Sequence, residues 1–268
     1  MTDEHRGILR PAEVGQSFTL ERREPPADLP DYIANHWLVG WDLTGRPPYR
    51  SEVLTHPSVH IVFEPHGCFV YGVRNELDVR ILSGSGFAIG TKFLPGGFSA
   101  FSDRPVDQLT DLALPLAAVF GEEARELGEI GAEIEDPAEV LDPLVELLRE
   151  RRREPDPGAE VVMAAVAEMR EAEPGLSVSD VAARQAVSVR TLQRLFARHV
   201  GVGPKWVLQR YRLHEALEAL DRTAPPDWTR LALDLGYFDH AHFIRDFRAV
   251  AGRTPTQYQR ESLAAVGR

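Results

Sequence analysis

Residues 188–204 read SVRTLQRLFARHVGVGP, and residues 239–255 read DHAHFIRDFRAVAGRTP. The two stretches lie 51 residues apart and match: Leu192, Arg194, Phe196, Gly201 and Pro204 have counterparts in Phe243, Arg245, Phe247, Gly252 and Pro255. In each, apolar residues at helical spacing mark one face, an arginine sits off it, and Gly then Pro close the helix. Such a repeat implies two copies of one small unit. Each copy has a short helix in front. In the first, residues 178–185 form it, with Ser177 or Ser179 able to cap it. Ala186-Val187-Ser188 then turns, and Ser188 caps a helix over 189–199. In the second, residues 228–235 lead, Gly236-Tyr237-Phe238-Asp239 turns, and Asp239 caps a helix over 240–251. Ala182 and Ala232 are the small residues where the paired helices cross. Helix, tight turn, helix is the helix-turn-helix pattern, which places its second helix in the major groove of DNA.

The outward residues of the first turns are then the candidate readers. Arg190 and Arg194, spaced i, i+4, share a face with Gln193. Arginine reads guanine O6 and N7, and glutamine reads adenine N6 and N7. Thr191, Arg198 and Lys205 are candidate phosphate contacts. The corresponding positions of the second unit are His240, Ala241, Ile244 and Arg245. Leu192, Leu195, Phe196, Phe243 and Phe247 are core.

The run 188–217 followed by 231–258 resembles the DNA-binding domain of AraC-type transcriptional regulators. The resemblance covers roughly residues 160–260. Its most recognisable parts are Gly236-Tyr237-Phe238-Asp239 and His242-Phe243-Ile244-Arg245-Asp246-Phe247. It implies a long helix from about Lys205 to Leu220 joining the two units, and base contacts by Arg190, Gln193 and Arg194. Two departures stand out. Gln185-Ala186 takes the place of the usual Ala-Gly, which suits the turn only if no positive φ is needed there. Ile244 stands where Ser or Thr is common, and implies either less specific reading of bases by the second unit or an apolar contact with a thymine methyl.

Charge is split along the chain. Residues 1–160 carry 15 Lys and Arg against 29 Asp and Glu, whereas residues 161–268 carry 15 against 12. Between Asp180 and Glu215 there is no acid, and seven bases occur: Arg184, Arg190, Arg194, Arg198, Lys205, Arg210 and Arg212. On an otherwise acidic protein this is a candidate electrostatic footprint for nucleic acid, or a solvated helix face. The polar, Pro-rich stretch 149–158, RERRREPDPG, reads as a helix end and a linker. It divides the chain into 1–155 and 156–268.

The first hundred residues read as short strands at 17–22, 33–42, 58–64, 68–73, 77–82 and 87–94, bounded by turn formers. This spacing suggests a barrel or sandwich, and the stretch looks like a cupin-like barrel. From about residue 105 the texture is helical, with stripes Leu112, Leu116, Val119, Phe120 and Val140, Leu144, Leu147, Leu148. The run from Leu82 through Phe93-Leu94-Pro95-Gly96-Gly97-Phe98 and Arg104-Pro105-Val106 resembles the N-terminal region of AraC-type regulators of undefined ligand. The expected architecture is therefore α+β in two domains. An N-terminal cupin-like β-barrel with trailing helices precedes an all-α domain with two helix-turn-helix units joined by a long helix.

Trp37, Trp41, Phe63, Phe69, Tyr71, Phe87 and Phe93 are candidates to line a small-molecule pocket, or to be barrel core. Pro95-Gly96-Gly97 is a candidate mouth loop or a plain turn. The acidity of this half suggests a cationic or neutral ligand. His56, His60, Glu64 and His66 have one strand parity and would face one side. Barrels of this class bind metals with such a set, but Pro57 and Pro65 interrupt the strand, and no metal or other cofactor is expected. Cys68 is the single cysteine, which excludes a disulfide scaffold and a multi-Cys zinc site. It also excludes the methyl-accepting chemistry of some AraC-like proteins. No phosphate loop or nucleophile elbow occurs.

These features point to a non-enzymatic, ligand-responsive DNA-binding regulator. Its partners would be double-stranded promoter DNA, a small-molecule effector, RNA polymerase if it activates, and a second copy of itself, with no membrane. Residues 1–10, MTDEHRGILR, hold no apolar stretch to serve as a signal peptide, so a cytoplasmic protein is expected. Two rivals stay open: a cupin-type metal-binding enzyme with a helical appendage, and an effector-independent DNA-binding protein whose N-terminal domain only makes protein contacts.

Overall fold

The computed structural model describes residues 7–11, 14–130, 134, 136–154, 156–171, 175–221 and 227–266. Eight strands come first: β1 (Thr19–Arg23), β2 (Ile33–Leu43), β3 (Tyr49–Val53), β4 (His60–Glu64), β5 (Gly67–Tyr71), β6 (Asp78–Leu82), β7 (Gly84–Phe93) and β8 (Ala113–Pro115). Six form one antiparallel sheet in the order β1-β2-β7-β4-β5-β8, and β3 pairs with β6 in a separate ribbon. The strand-rich N-terminal half is thus as expected, but the barrel is not closed. The ribbon stands across from the large sheet without joining its ladder.

Strand parity sorts the two faces of the large sheet. Ile61 and Phe63 of β4, Cys68 and Val70 of β5, and Ile89 and Phe93 of β7 enter a buried core. That core is completed by α1 (Leu116–Phe120) and α3 (Ala138–Arg151), whose Val140, Leu144, Leu147 and Leu148 supply the apolar stripe. A short α2 (Arg125–Glu129) lies between them. The first expected stripe is shorter than its spacing suggested. Asp111 adopts φ 62°, Leu112 is 46% exposed, and residues 113–115 pair with β5. Only from Leu116 does the chain turn helical.

The C-terminal helices are α4 (Pro157–Arg170), α5 (Val178–Arg184), α6 (Val189–Val200), α7 (Pro204–Leu220), α8 (Trp228–Asp234), α9 (His240–Ala251) and α10 (Pro255–Val266). Two cores flank α7. Val162, Val166 and Met169 of α4 pack with Val181, Leu192, Phe196 and the Val207–Tyr211 end of α7. Leu213, Leu217 and Leu220 from the other end pack with Ala232, Phe243, Phe247 and Tyr258. One helix is therefore structural to both units.

The strand-rich half contributes to both cores. Val73 joins the first, and Leu9 and Leu54 join the second. Polar contacts add to the interface. Arg210 of α7, 2% exposed, donates to the carbonyl oxygens of Arg74 (3.3 Å) and Asn75 (2.7 Å) and lies 4.2 Å from the centroid of a Trp206 ring. Thr110 donates its hydroxyl to the carbonyl of Gly201 at 2.8 Å. Glu52 on β3, 2% exposed, is held by Arg10, Arg50 and Arg253, the last from beyond α9.

Candidate nucleic-acid interface and cavity

In the first unit, Ser177 and Asp180 form a capping box at the start of α5. Ser188 then accepts from the backbone N–H of Thr191 at 3.0 Å and starts α6. Leu192, Phe196 and Val200 turn inward. The helical repeat therefore sends Arg190, Gln193 and Arg194 outward, and all three are exposed, as are Arg198 and Lys205. Thr191 is half-buried, with its hydroxyl 2.9 Å from that of Ser188. Arg198 lies 4.0 Å from Asp156. Of the other bases in the acid-free stretch, Arg184 pairs with Glu168 at 2.6 Å, Arg210 is buried, and Arg212 donates to the carbonyl of Leu176.

The second unit repeats the pattern. Asp239 accepts from the backbone N–H of His242 at 2.7 Å and starts α9, and Phe243, Phe247 and Ala251 turn inward. Ala241 and Arg245 are exposed, while His240 and Ile244 are half-buried. The two turns begin alike. Ala186 N–H bonds to Ala183 and Val187 N–H to Ala182; Gly236 N–H bonds to Leu233 and Tyr237 N–H to Ala232. Gly236 has φ 73° and Ala186 has φ 53°. The first turn does need a left-handed residue, and alanine fills it. The second turn is one residue longer, and the extra residue, Phe238, is 89% exposed.

A cavity of about 600 Å³ lies between the large sheet and the β3–β6 ribbon. Trp37, Trp41, Tyr71 and Phe87 line it. Phe63 and Phe93 do not: they are fully buried in the core on the helix side. Phe69 is also outside the lining and packs edge-on to Tyr71 at 6.4 Å. Residues 95–97 form no mouth. Gly96 lies against Met163 of α4 and Gly97 against the backbone of Tyr32.

The floor is set by the register of β2 on β7, which puts Trp37 opposite Gly90 and Trp41 opposite Gly86. A Cβ on Gly90 would sit 2.1 Å from the Trp37 indole, and one on Gly86 would sit 2.5 Å from that of Trp41. Both indoles therefore lie over bare backbone.

His56, His60, Glu64 and His66 all line the cavity, but only His60 and Glu64 lie on β4; His56 precedes the strand and His66 is in the turn after it. They do not converge. His56 stacks on His214 of α7 at 4.0 Å, His60 Nδ1 accepts from Trp37 Nε1 at 3.2 Å, and Glu64 accepts from the Tyr71 hydroxyl at 3.0 Å. Among the described residues, no group of three His, Cys, Asp or Glu is placed to hold a metal. Cys68 is buried, and burial pushes its thiol up, away from thiolate chemistry. Sequence reasoning missed Arg22, Asn35, Ser58 and Lys92, which also line the cavity. Their only signal was parity with Trp37 and His60 on strands whose pairing was unknown.

Residues 181–261 match a family model described as a helix-turn-helix domain, and residues 21–115 match a domain of unknown function (DUF6597). The HTH-type transcriptional activator RhaS of Escherichia fergusonii is 35% identical over 86 residues, 32% of this chain and 31% of that protein. Residues 181–261 are thus similar to a helix-turn-helix domain. This chain spans about 31% of the length of that curated relative. Solved structures similar to this chain include a transcriptional regulator with an AraC-type DNA-binding domain from Chromobacterium violaceum, with 27% identity and a TM-score of 0.36, covering 38% of this chain and 92% of that one. The DNA-binding domain of AdpA, solved with a target DNA, has 28% identity and a TM-score of 0.34, over 41% and 96%. ToxT of Vibrio cholerae has 10% identity and a TM-score of 0.40, over 91% and 98%. Among the described residues, no helix is long and apolar enough to cross a membrane.

Proposed function

We propose that this chain is a transcription regulator that acts by binding rather than catalysis, in the cytoplasm. Residues 156–268 would bind double-stranded promoter DNA, and residues 1–155 would hold a small-molecule effector in the cavity. The observation that carries the reading is the pair of capped helices, α6 and α9, each with an exposed first turn and both seated on one α7. In this reading Arg190, Gln193 and Arg194 read bases in one major groove. His240, Ala241, Ile244 and Arg245 face the next, about 34 Å along the duplex. Thr191, Arg198 and Lys205 bind phosphates. Arg198 would exchange its exposed contact with Asp156 for a phosphate at little cost.

Selection of genomic fragments by the purified full-length protein at fixed salt tests this. A recovered motif with two half-contacts about one helical turn apart is expected. Recovery of random, salt-labile fragments alone, with and without cell metabolites, would overturn sequence-specific binding. Contact with RNA polymerase and self-association belong to the same proposal. Promoter position of the recovered sites and sedimentation of the protein with DNA test them.

A further inference from the structure

Two buried polar atoms of the cavity lining are unmet. Asn35 Oδ1 on β2 and Ser58 Oγ, just before β4, have no hydrogen-bond partner among the described residues, and Ser58 is 2% exposed. Such atoms are costly to leave unmet, and a bound ligand or water satisfies them. The Asn35 carbonyl oxygen only accepts, so its partner must be a donor, whereas the Ser58 hydroxyl does either. The sheet register puts both at one end of the cavity. Asn35 stands opposite Lys92, and Lys92 stands opposite His60, two residues along the chain from Ser58. Trp37 follows Asn35 by two residues on the same face of β2, about 7 Å away.

The charged groups of the lining are already engaged. Glu64 is four residues along β4 from His60, about 13 Å away, where it accepts from the Tyr71 hydroxyl and lies 3.6 Å from Arg80. Asp78, on the opposite ribbon, lies 3.3 Å from Arg80 and 3.9 Å from Arg74. Lys92, and Arg22 opposite Trp37, each make an interaction of their own. Burial, together with the charges of Lys92 and Arg22, pushes the His60 pKa down to about 3. Its imidazole is thus neutral, and its Nδ1 is taken by the Trp37 N–H. A charged ligand would leave water for groups already committed to each other, a desolvation cost that a neutral ligand avoids.

We propose that the cavity takes a neutral, planar aromatic molecule that carries a hydroxyl donor. Its ring would lie over Trp37, and its hydroxyl would donate to Asn35 Oδ1. Ser58 Oγ, at the same end, would meet a second polar substituent or a water beside it. This rests on the reading of the cavity as an effector pocket and adds its chemistry. A hydroxyl-bearing bicyclic ring is about as long as the separation of Asn35 from Trp37, so one molecule serves both. Indole faces backed by the bare backbone of Gly90 and Gly86 suit a planar ring better than a branched body. The volume, about 600 Å³, lies within the range of about 300–1,000 Å³ usual for ligand pockets. A neutral ligand also agrees with the acidity of the N-terminal half, which disfavours an anion.

Calorimetric titration of the full-length protein into dilute naphthol, its methyl ether and naphthoate tests the proposal. The ether keeps the ring and the oxygen but lacks the donor, and naphthoate replaces the donor with a negative charge. Naphthol should bind one per chain, about tenfold tighter than its ether, with naphthoate weaker than naphthol. Asn35→Leu should bring naphthol down to the affinity of the ether and leave the ether unchanged. Asn35→Asp, which still accepts, should retain the preference. If Asn35→Leu fails to give a native melt, Asn35→Ala carries the same expectation. Equal affinity for naphthol and its ether would show that water, not the ligand, meets Asn35. That result, a preference that survives loss of the Asn35 acceptor, or naphthoate binding as tightly as naphthol would overturn the class while leaving the pocket standing. Failure of naphthol and naphthoate to bind at millimolar concentration would overturn the class and the effector pocket together, without touching the DNA-binding reading.

Discussion

Ala186 holds φ 53°, a conformation that costs an L-residue about 1–2 kcal/mol and glycine little. Its counterpart in the second turn is Gly236, with the same two backbone hydrogen bonds. Ala186→Gly should therefore stabilise the first unit by about 0.5–1 kcal/mol, net of the extra chain entropy of glycine. Urea unfolding of the full chain measures it, and a destabilised variant would mean that the alanine methyl makes a contact worth more than the strain. His60 gives a pH dependence. Its folded pKa, about 3, lies below the ordinary imidazole value of 6.5, so the folded state resists a proton that the unfolded state takes up. Its stability contribution is full above pH 6.5 and is lost as pH falls from 6.5 toward 3. The slope from this group is at most about 1.4 kcal/mol per pH unit. Melts of His60→Gln should show a shallower acid limb than the parent. On the DNA side, Arg194→Ala should cost about 1–3 kcal/mol at one base position, whereas Lys205→Ala should weaken all sequences alike and reduce the salt slope by about 1. Operator titrations at several salt concentrations separate the two.

At the scale of elements, the helix-turn-helix units were legible because their signals are local. Ser188 and Asp239 cap the helices they precede, and the apolar spacing names the buried face without knowledge of the partner. The repeat itself changes register. The helices after the turns match at 51 residues, whereas Ala182 and Ala232 are 50 apart, because Phe238 lengthens the second turn. Strands were harder. β3 reads YRSEV, too polar to stand out, and its Glu52 is buried where Arg10 and Arg253 from distant segments meet it beside Arg50 of the same strand. Seven aromatic residues were pocket candidates, and the structure leaves Phe63, Phe69 and Phe93 outside the lining, Phe63 and Phe93 in the core on the helix side. The pairing of β2 with β7 made the floor. Gly90→Ala should push the Trp37 indole off the strand, at a cost of about 1–3 kcal/mol. Urea unfolding of the variant measures the cost, and an unchanged midpoint would show that the indole does not lie against Gly90.

Over the whole molecule, the cavity and the second unit share a wall. The β3–β6 ribbon lines the cavity through Val53 and Ile81, while Leu54 and Leu77 beside it pack into the core of α9 and α10. Glu52 binds Arg253 from within that ribbon. A ligand that repositions the ribbon therefore acts on the second helix-turn-helix through contacts already made. Glu52→Gln leaves Arg10 and Arg253 without their buried anion and should destabilise the molecule by about 2–3 kcal/mol, discounted from a fully buried pair because both arginines are partly exposed. Native-state hydrogen exchange should then rise together in β3, β6 and α10. A rise confined to β3 would show that the ribbon and the second unit are not one cooperative element.

The sequence by itself determined the two helix-turn-helix units, their caps, their buried faces and the exposure of Arg190, Gln193, Arg194 and Arg245, because each follows from residues within one or two helical turns. It also located the strand-rich half and the acid-free basic stretch. Only the tertiary structure decided that the barrel stays open, that Arg210 turns from the basic stretch into an interface with Arg74 and Asn75, and that Arg22 and Lys92 meet His60 in one corner. Those outcomes depend on which strands pair and which surfaces dock. Strand pairing and docking are set by the sum of many weak contacts between residues far apart in the chain, and no local window of sequence contains that sum.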